Sequence, residues 1–502
     1  MPEHKTGGLS RTSKRALVGG TLSLILGLAI FIIWTTVRAA SLFQDLPDAE
    51  RQLFEKRTKA LIEKSAMQSQ VLVRFRDARL DWKYVFENAI QPGLAKQITN
   101  PISIKLFDDV SVKIVTDSVQ RLSPSSKQGA SSESYRWVGH IEGEENKKAI
   151  FIFLAKNGTI RGTLRYKGKL YQIQPVDQGV HSIYELDQSK FPDELPPVKP
   201  RLKTGSKERR SAKMSSRQSS PSNAAARQAQ RGGPPVAGDV EEGGGAPEIA
   251  APEGMAHSEA SCNADVLVMY TTNAKKATDD IEEEIRWAEV LANISYELSG
   301  INLRIKIVET NEVSYQESGD LGMDLQRLLG GDGKLAGVHS LRNASDADLV
   351  SLWVESGNDC GIGFVNAGDV GVTPAHESTG YSVLNRACGL GNLSFAHELG
   401  HNMGANHDRH AEGGVSNDGK YNYGHVNVAT RERTIMAYNK KCRDAGFFCE
   451  RVPYWSNPDN PSYADGSKMG KPQGDPDWAD NRKTLNEAAC TVSKFRPKAQ
   501  PG

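Results

Sequence analysis

The stretch that most constrains this chain is residues 394–408, which reads His-Glu-x-x-His-x-x-Gly-x-x-His-Asp from its first histidine. His397 and His401 are four residues apart, so a helix would carry both imidazoles on one face, where they can bind one metal ion. Gly404 permits a sharp turn at positive φ, which would bring His407 back as a third ligand. Three nitrogen ligands leave one coordination position open, which predicts one catalytic zinc ion.

Glu398 directly follows the first histidine, where its carboxylate can act as general base for a zinc-activated water. The alternative is a helix with scattered, hydrogen-bonded histidines, but a chance match to five fixed residue types is roughly a one in ten thousand event. The stretch resembles the metzincin zinc endopeptidases, and Asn402 and Asp408 are most similar to the reprolysin (adamalysin) branch. The resemblance implies a metalloendopeptidase in which Asp408 anchors the turn after the third histidine through hydrogen bonds.

A second segment, Thr434–Tyr438, carries further features of this resemblance. Met436 matches the methionine of the Met-turn, a tight turn beneath the zinc, although an ordinary core methionine is the alternative. Tyr438 occupies a position where astacin- and serralysin-like enzymes carry a tyrosine that can ligate zinc or hydrogen-bond the developing oxyanion. Reprolysins typically lack this tyrosine, so the chain combines features of two branches, and simple packing is the other interpretation of Tyr438.

Residues 259–497 are predicted to form a zinc metallopeptidase domain of the α/β (α+β) class. Asp265–Tyr270 is almost continuously apolar, as expected for a central strand that is covered on both faces. Strand-like and helix-like segments then alternate, which predicts a mixed, mostly parallel sheet. The resemblance implies that Gly361–Val365 is an antiparallel edge strand that pairs with extended substrate. We expect Ser394 or Asn392 to cap the zinc helix. The other predicted elements are a helix over 278–298, a strand over 301–307, helices near 323–329 and 335–341, and strands over 348–354 and 381–384.

Residues 41–196 are predicted to form a β-rich prodomain. A polar helix over 49–68 precedes short segments rich in β-branched and aromatic residues, over 71–75, 110–115, 137–141, 149–154, 159–166 and 170–173. Asn157-Gly158 predicts a hairpin turn. In the strand that follows, apolar Ile160 and Leu164 alternate with polar residues, which predicts one buried face and one solvent-exposed face. The region from Trp137 to Phe191-Pro-Asp-Glu194 also resembles the propeptide of bacterial reprolysin-like enzymes.

Residues 197–258 are predicted to be a disordered linker. They are rich in Ser, Gly, Pro, Ala and Gln and contain no aromatic residue, so they cannot bury enough surface to fold. The linker is basic first and acidic later, and its basic part lacks the aromatic side chains that stack on nucleic-acid bases. We therefore interpret it as a solvated, protease-sensitive tether, with Lys207-Glu-Arg-Arg210 as a candidate maturation site.

Residues 1–40 supply a route of export. Basic residues precede an apolar span over 16–37 that is long enough to cross a bilayer, which predicts that the N-terminus stays in the cytoplasm. Val37-Arg-Ala39 is a candidate cleavage site, so the segment is either a signal peptide or a signal anchor. Both alternatives place the histidines outside the cytoplasm, either secreted or held at the outer face of the cytoplasmic membrane.

All six cysteines lie in the second half of the chain, and none has the C-x-x-C spacing of a zinc site. An even number confined to one domain predicts three disulfides and an oxidising compartment. Six cysteines allow fifteen pairings, of which we favour Cys360–Cys388, Cys442–Cys449 and Cys262–Cys490. Because no cysteine precedes Cys262, a prodomain thiolate cannot cap the zinc. Latency must then come from occlusion or from another ligand, for which His257 is conceivable.

The charges balance at 62 basic and 61 acidic residues, which argues against a nucleic-acid binder. The sequence therefore predicts a zinc endopeptidase made as a zymogen, with protein or peptide substrates, its own prodomain as inhibitor, and membrane contact only if the N-terminal span is uncleaved. Calcium is possible but no feature supports it. The rival hypotheses are a binding module on a degenerate protease fold and a membrane-anchored processing enzyme.

Overall fold

The computed structural model describes residues 41–88, 101–122, 134–154, 158–177, 179–200, 262–366 and 371–497. A sheet of nine strands forms the N-terminal region, and a sheet of five strands forms the centre of the C-terminal region. The apolar span over 16–37, the candidate maturation site and His257 lie outside these residues. Among the helices that the structure describes, none is long and apolar enough to cross a bilayer.

The N-terminal region starts with a short strand, and two helices that pack on its sheet follow. Its elements are β1 (Phe43–Asp45), α1 (Asp48–Ile62), α2 (Ala66–Val71), β2 (Leu72–Leu80), α3 (Trp82–Asn88), β3 (Ile102–Phe107), β4 (Val110–Leu122), β5 (Ser134–Ile141), β6 (Glu144–Leu154), β7 (Thr159–Tyr166), β8 (Lys169–Asp177) and β9 (Val180–Leu186). The strand order is β1-β2-β9-β8-β7-β6-β5-β4-β3, with antiparallel neighbours throughout. The sheet curls until its two end strands approach, and Leu42 N donates to Ser103 O at 2.9 Å.

The two faces of this sheet have different partners. One face encloses the region's own core, where Trp137 stacks on Phe151 with ring centroids 4.7 Å apart. On the other face, Val138, Ile150 and Ile152 belong to the same hydrophobic cluster as the central strand of the C-terminal region. The predicted β-rich architecture is therefore present, and the sheet is docked on the region that follows.

The prediction that one face of β7 is exposed to solvent is wrong. Its polar residues are buried along with the apolar ones, namely Thr159, Arg161, Thr163 and Arg165. The reason is the docked neighbour, which one strand's alternation cannot reveal. Ion pairs cross this interface, from Arg165 Nε to Glu450 Oε1 at 3.2 Å and from Arg136 Nη1 to Glu297 Oε2 at 2.9 Å.

The C-terminal region contains the predicted mixed, mostly parallel sheet. Its first elements are β10 (Cys262–Thr271), α4 (Thr272–Lys276), α5 (Ile281–Leu298), β11 (Leu303–Val313), α6 (Leu321–Gly330), α7 (Val338–Ala344), β12 (Leu349–Val354), β13 (Gly361–Gly363) and β14 (Tyr381–Asn385). The order is β11-β10-β12-β14-β13, and all pairs are parallel except β13 with β14. The apolar strand β10 is an interior strand with β11 and β12 on either side, as predicted, and β13 is the antiparallel edge strand.

Beyond the sheet, helices and short strands surround the histidine stretch. They are α8 (Arg386–Gly391), α9 (Ser394–Asn402), β15 (Asn406–Asp408), β16 (Tyr423–Gly424), β17 (Val426–Asn427), β18 (Glu432–Arg433), α10 (Lys440–Asp444), β19 (Glu450–Arg451) and α11 (Asn481–Val492). The structure joins the cysteines as Cys262–Cys490, Cys360–Cys388 and Cys442–Cys449, the pairing named above. Cys262–Cys490 links the first strand of the region to its last helix.

The predicted start of the linker at residue 197 needs correction. Val198 forms a parallel bridge with Phe364 beside the edge strand β13, and the described chain continues to Pro200. Composition alone missed this contact because a Pro-rich segment has no strand pattern of its own. The end of the N-terminal region therefore lies in contact with the C-terminal region.

Candidate active site

Helix α9 presents the first two histidines from a fully buried position. The expected cap at its start is wrong: Leu393 occupies the N-cap position with φ 58°, and no side chain caps the helix. Ser394 Oγ and Asn392 Nδ2 donate instead to Glu194 Oε1, at 2.8 and 3.1 Å. The polar side chains that were predicted to cap the helix therefore bind a carboxylate of the N-terminal region.

The third histidine arrives through the turn that Gly404 allows. Gly404 has φ 92°, and the chain then runs into β15, which carries His407. The Nε2 atoms of His397, His401 and His407 lie 3.0–3.3 Å from one another. All three side chains are buried. The structure therefore brings together the three residues that sequence spacing selected.

The hydrogen bonds of the opposite ring nitrogens fix the chemistry of this cluster. His397 Nδ1 lies 2.9 Å from Ile435 O, and His401 Nδ1 lies 2.9 Å from Ala405 O. A carbonyl only accepts, so each Nδ1 carries the proton and each Nε2 presents a lone pair. Burial lowers the pKa of His397 to about 3 and holds the pKa of His401 well below its usual range, so both rings stay neutral.

The third ring has a carboxylate partner, because His407 Nδ1 lies 3.1 Å from Glu412 Oε1. The lone pairs of Nε2 atoms that lie within 3.3 Å of one another repel each other unless a cation lies between them. Three imidazoles whose Nδ1 atoms are held by hydrogen bonds, with their Nε2 atoms converging, are the donor set of a catalytic zinc site. The residues present thus fit a zinc ion.

Glu398 lies beside this cluster with both carboxylate oxygens buried. Neither oxygen has a hydrogen-bond partner among the described residues. Burial raises the pKa of the Glu398 carboxyl well above its usual range, and the negative charge of Glu194 acts in the same direction. The edge strand makes room for it, because a Cβ on Gly361 would overlap Glu398 Oε1. A carboxylate without a protein partner at this position is available to a water or a substrate proton.

Asp408 connects the histidine turn to the segment around Met436. Its Oδ1 accepts from Ala411 N at 3.1 Å, and its Oδ2 accepts from Tyr438 N at 2.9 Å. This geometry matches the hydrogen-bonding role that the resemblance implies. Met436 is fully buried, and its Sδ lies 2.9 Å from where a Cβ on Gly400 would stand, so it packs directly against the zinc helix.

Tyr438 faces the histidines. Its ring centroid lies 3.9 Å from that of His407, and its hydroxyl donates to Glu194 O at 2.5 Å. Burial raises the pKa of the Tyr438 phenol, so the hydroxyl keeps its proton and remains a donor. The structure thus places this tyrosine at the cluster with its hydroxyl on a peptide carbonyl.

The segment Asp193–Lys199 runs along the edge strand that lies against Glu398. Leu195 N donates to Gly361 O at 2.8 Å, and Val198 N donates to Gly363 O at 2.9 Å. Val365 N in turn donates to Val198 O at 3.0 Å. The segment therefore extends the sheet along its edge strand.

Glu194 and Arg451 form a buried pair at this site that the sequence does not predict. Arg451 Nη1 and Nη2 pair with Glu194 Oε1 and Oε2 at 2.5 and 2.8 Å, and both side chains are 0% exposed. No spacing rule identifies a lone arginine that is 257 residues from its partner. The only signal was the position of Glu194 at the end of the propeptide-like region.

Comparisons with known proteins agree with this geometry. The family model described as metallo-peptidase family M12B, reprolysin-like, matches residues 263–459. A peptidyl-Asp metalloendopeptidase of Stenotrophomonas maltophilia is 29% identical over 74% of this chain and 75% of its own length. One of Xanthomonas campestris pv. campestris is 28% identical over 69% of each chain. One of Pseudomonas fragi is 30% identical over 39% of this chain and 94% of its own length. The chain belongs to the reprolysin-like metallopeptidases of family M12B, which implies a zinc cofactor, and is a metalloendopeptidase.

Proposed function

We propose that this chain is a zinc-dependent endopeptidase, made as a zymogen, in which Glu398 is the general base. The observation that carries the proposal is the convergence of three histidine Nε2 atoms beside a buried carboxylate that has no partner among the described residues. His397, His401 and His407 would hold the zinc. When bound there, zinc acidifies a water molecule and polarises a peptide carbonyl.

The protein's own residues then handle protons and position the peptide. Glu398 Oε accepts a proton as water attacks the carbonyl carbon, and returns it to the amide nitrogen as the C–N bond breaks. One water is consumed, and one carboxylate and one amine are formed. The Tyr438 hydroxyl is a donor for the carbonyl oxygen as negative charge develops on it, which its present hydrogen bond to Glu194 O supports.

Asp408 and Met436 hold this arrangement in place. Asp408 accepts two backbone N–H groups, one from the turn after His407 and one from Tyr438, and so fixes two elements relative to each other. We assign Met436 to a Met-turn on the basis of its burial against Gly400 of the zinc helix.

The N-terminal region acts as the inhibitory prodomain in this proposal. Residues 193–199 lie along the edge strand, where an extended substrate would pair, so the intact chain is occluded. The mechanism requires no thiolate, in keeping with the absence of cysteine before Cys262. Cleavage in the 201–258 segment would let the prodomain leave.

The relatives are named for peptidyl-Asp substrates, and we propose the same substrate class for this chain. The basic and apolar N-terminus and the three disulfides support substrates outside the cytoplasm, in the envelope or beyond it. The enzyme would be secreted, or anchored if residues 16–37 remain attached.

The test is cleavage of an unstructured protein by the full chain, nicked with trypsin in 201–258 and then freed of trypsin. We expect cleavage that a zinc chelator abolishes and added zinc restores. A folded, zinc-loaded chain that leaves unstructured proteins and aspartate-containing peptides intact would instead favour a binding module on this fold.

A further inference from the structure

A buried carboxylate site lies next to the histidine cluster. Arg451 supplies two hydrogen bonds to the Glu194 carboxylate, at 2.5 and 2.8 Å. Ser394 Oγ adds a third at 2.8 Å and Asn392 Nδ2 a fourth at 3.1 Å. All four donors belong to the C-terminal region, whereas the carboxylate comes from the N-terminal region. The site is therefore a receptor for an acidic side chain that another segment provides.

The charges of the C-terminal region favour an anion in this receptor. Among the described residues, Glu194 is the only one whose carboxylate forms an ion pair with Arg451. A second buried cation, Arg433, lies nearby, and its guanidinium donates to the carbonyls of Ala437 and Cys449 at 2.5 and 3.1 Å. A buried cation without a counter-charge is strongly unfavourable. If Glu194 leaves, Arg451 keeps its hydrogen bonds to the carbonyls of Asn392 and Ala437 but loses its carboxylate partner, which favours the entry of another acidic side chain.

The position of the receptor relates it to catalysis. Ser394 opens the helix that carries the first zinc ligand three residues later. The backbone of Glu194 lies between Tyr438, which donates to its carbonyl oxygen, and the edge strand, where Gly361 O accepts from the next residue. An acidic residue seated here thus has its peptide groups beside the catalytic groups.

From this geometry we propose that Arg451, with Ser394 and Asn392, selects an acidic side chain next to the scissile bond, and that Glu194 is the prodomain's own occupant of this site. The inference rests on the proposed function and adds to it the residues that determine specificity. It also identifies the contact that must break before a substrate can enter.

The chemistry of the site favours a carboxylate over its amide isostere. The two parallel N–H groups of a guanidinium match two carboxylate oxygens, whereas an amide would turn an NH2 group toward the cation. A buried site that loses a charge-assisted hydrogen bond rejects the analogue strongly. We expect nicked wild-type protein to prefer an aspartate peptide over the matched asparagine peptide by about 100-fold in kcat/KM.

The first experiment compares these two peptides on nicked full-length protein. Arg451→Gln should reduce the ratio of kcat/KM for the aspartate and asparagine peptides to near unity. Arg451→Lys keeps the positive charge but not the two parallel N–H groups of the guanidinium, and should retain only part of the preference. Arg136→Gln is the matched control, because it removes another ion pair between the two regions, with Glu297. A preference that survives in Arg451→Gln, or a wild type without a preference, overturns the proposal.

A second measurement does not depend on Arg451 variants folding. Glu194→Gln in the intact, un-nicked chain should raise cleavage of the aspartate peptide at least several-fold, while Arg136→Gln should not. An increase that is equal for both variants would mean that Glu194 only joins two regions, and would overturn the assignment of Glu194 as occupant.

Binding separates this inference from the proposed function. Nicked Glu398→Gln protein should bind a fluorescein-labelled aspartate peptide more tightly than the asparagine peptide, and only while Arg451 is present. If no variant cleaves but this binding difference holds, the specificity site stands and the catalytic proposal fails. If cleavage occurs without any acidic preference in rate or binding, the catalytic proposal stands and the specificity site fails.

Discussion

Glu194 and Arg451, which are 257 residues apart in the sequence, form a fully buried bidentate ion pair. Arg451 Nη1 lies 2.5 Å from Glu194 Oε1, and Arg451 Nη2 lies 2.8 Å from Glu194 Oε2. The ion pair connects the end of the described N-terminal region to a strand that follows the Cys442–Cys449 disulfide. The pair lies near the histidine cluster, because Tyr438 donates to Glu194 O and its ring centroid lies 3.9 Å from that of His407. In our account, latency therefore does not require a metal ligand from the prodomain.

The edge-strand contacts should contribute to latency separately from the ion pair. Val198→Pro removes the N–H that donates to Gly363 O, whereas Val198→Ala keeps it and loses only side-chain contact. We expect the proline variant of the intact chain to cleave aspartate peptides several-fold faster than the alanine variant. Equal rates would show that backbone pairing of this segment does not hold the cleft closed.

Glu412 should strengthen zinc binding through His407. Its carboxylate lies 3.1 Å from His407 Nδ1, and loss of such a partner typically lowers metal affinity by about 10- to 100-fold. We expect Glu412→Gln to show this loss in competition with a chromogenic chelator. Asp444→Asn is the control, since Asp444 pairs with the more exposed His410, which is not one of the three clustered histidines. Identical zinc affinity in both variants would contradict the role of Glu412.

The disulfides should differ in their contribution to stability because their loops differ in length. Cys262–Cys490 closes a separation of 228 residues, and Cys442–Cys449 closes one of 7. Chain entropy predicts losses of about 5 and about 2 kcal/mol, respectively, when the pairs are replaced by serine. Denaturant unfolding of the two double variants measures this order. A smaller loss of unfolding free energy for the Cys262–Cys490 variant than for the Cys442–Cys449 variant would contradict the role of Cys262–Cys490 as the link between the ends of the C-terminal region.

Acid should weaken the N-terminal region through His181. Burial lowers the pKa of His181 to about 3, and its Nε2 accepts from Ile160 N at 2.9 Å. Because the folded pKa lies below the unfolded value, the unfolded chain binds the proton first. The stability is thus complete above about pH 6.5 and falls as the pH drops toward 3, by up to about 1.4 kcal/mol per pH unit.

His181→Gln keeps an acceptor for Ile160 N but does not titrate. Between pH 6.5 and 5, before most carboxylates protonate, its unfolding free energy should fall less than that of the wild type. Thermal or urea unfolding of the full chain at several pH values gives both curves. Parallel curves would remove His181 as the source of the acid sensitivity.

The sequence predicted those parts of the fold that depend on local pattern. Each of three patterns spans no more than about twenty residues: the apolar run of β10, the helical spacing of α5 and the spacing of the three histidines. The structure contains all three features. The edge strand and its antiparallel direction came from the family resemblance, and the structure agrees.

Features that depend on contacts between distant segments were missed. Arg161 and Arg165 alternate with apolar residues like any surface strand, and only the docked C-terminal region makes them buried. Serine commonly caps helices, yet Ser394 donates to Glu194. No residue near Ser394 in the sequence indicates that contact. Arg451 has no motif at all. These errors share one cause: the partner surface is remote in sequence.

The most direct test of the central claim compares wild type with Glu398→Gln after identical nicking and removal of trypsin. Both proteins should bind one zinc ion per chain by elemental analysis, because Glu398 is not a ligand. The variant should cleave the aspartate peptide about 10²- to 10⁴-fold more slowly, the usual loss on removal of a general base. A variant that retains both zinc and full activity would contradict the assignment of Glu398 and with it the proposed mechanism.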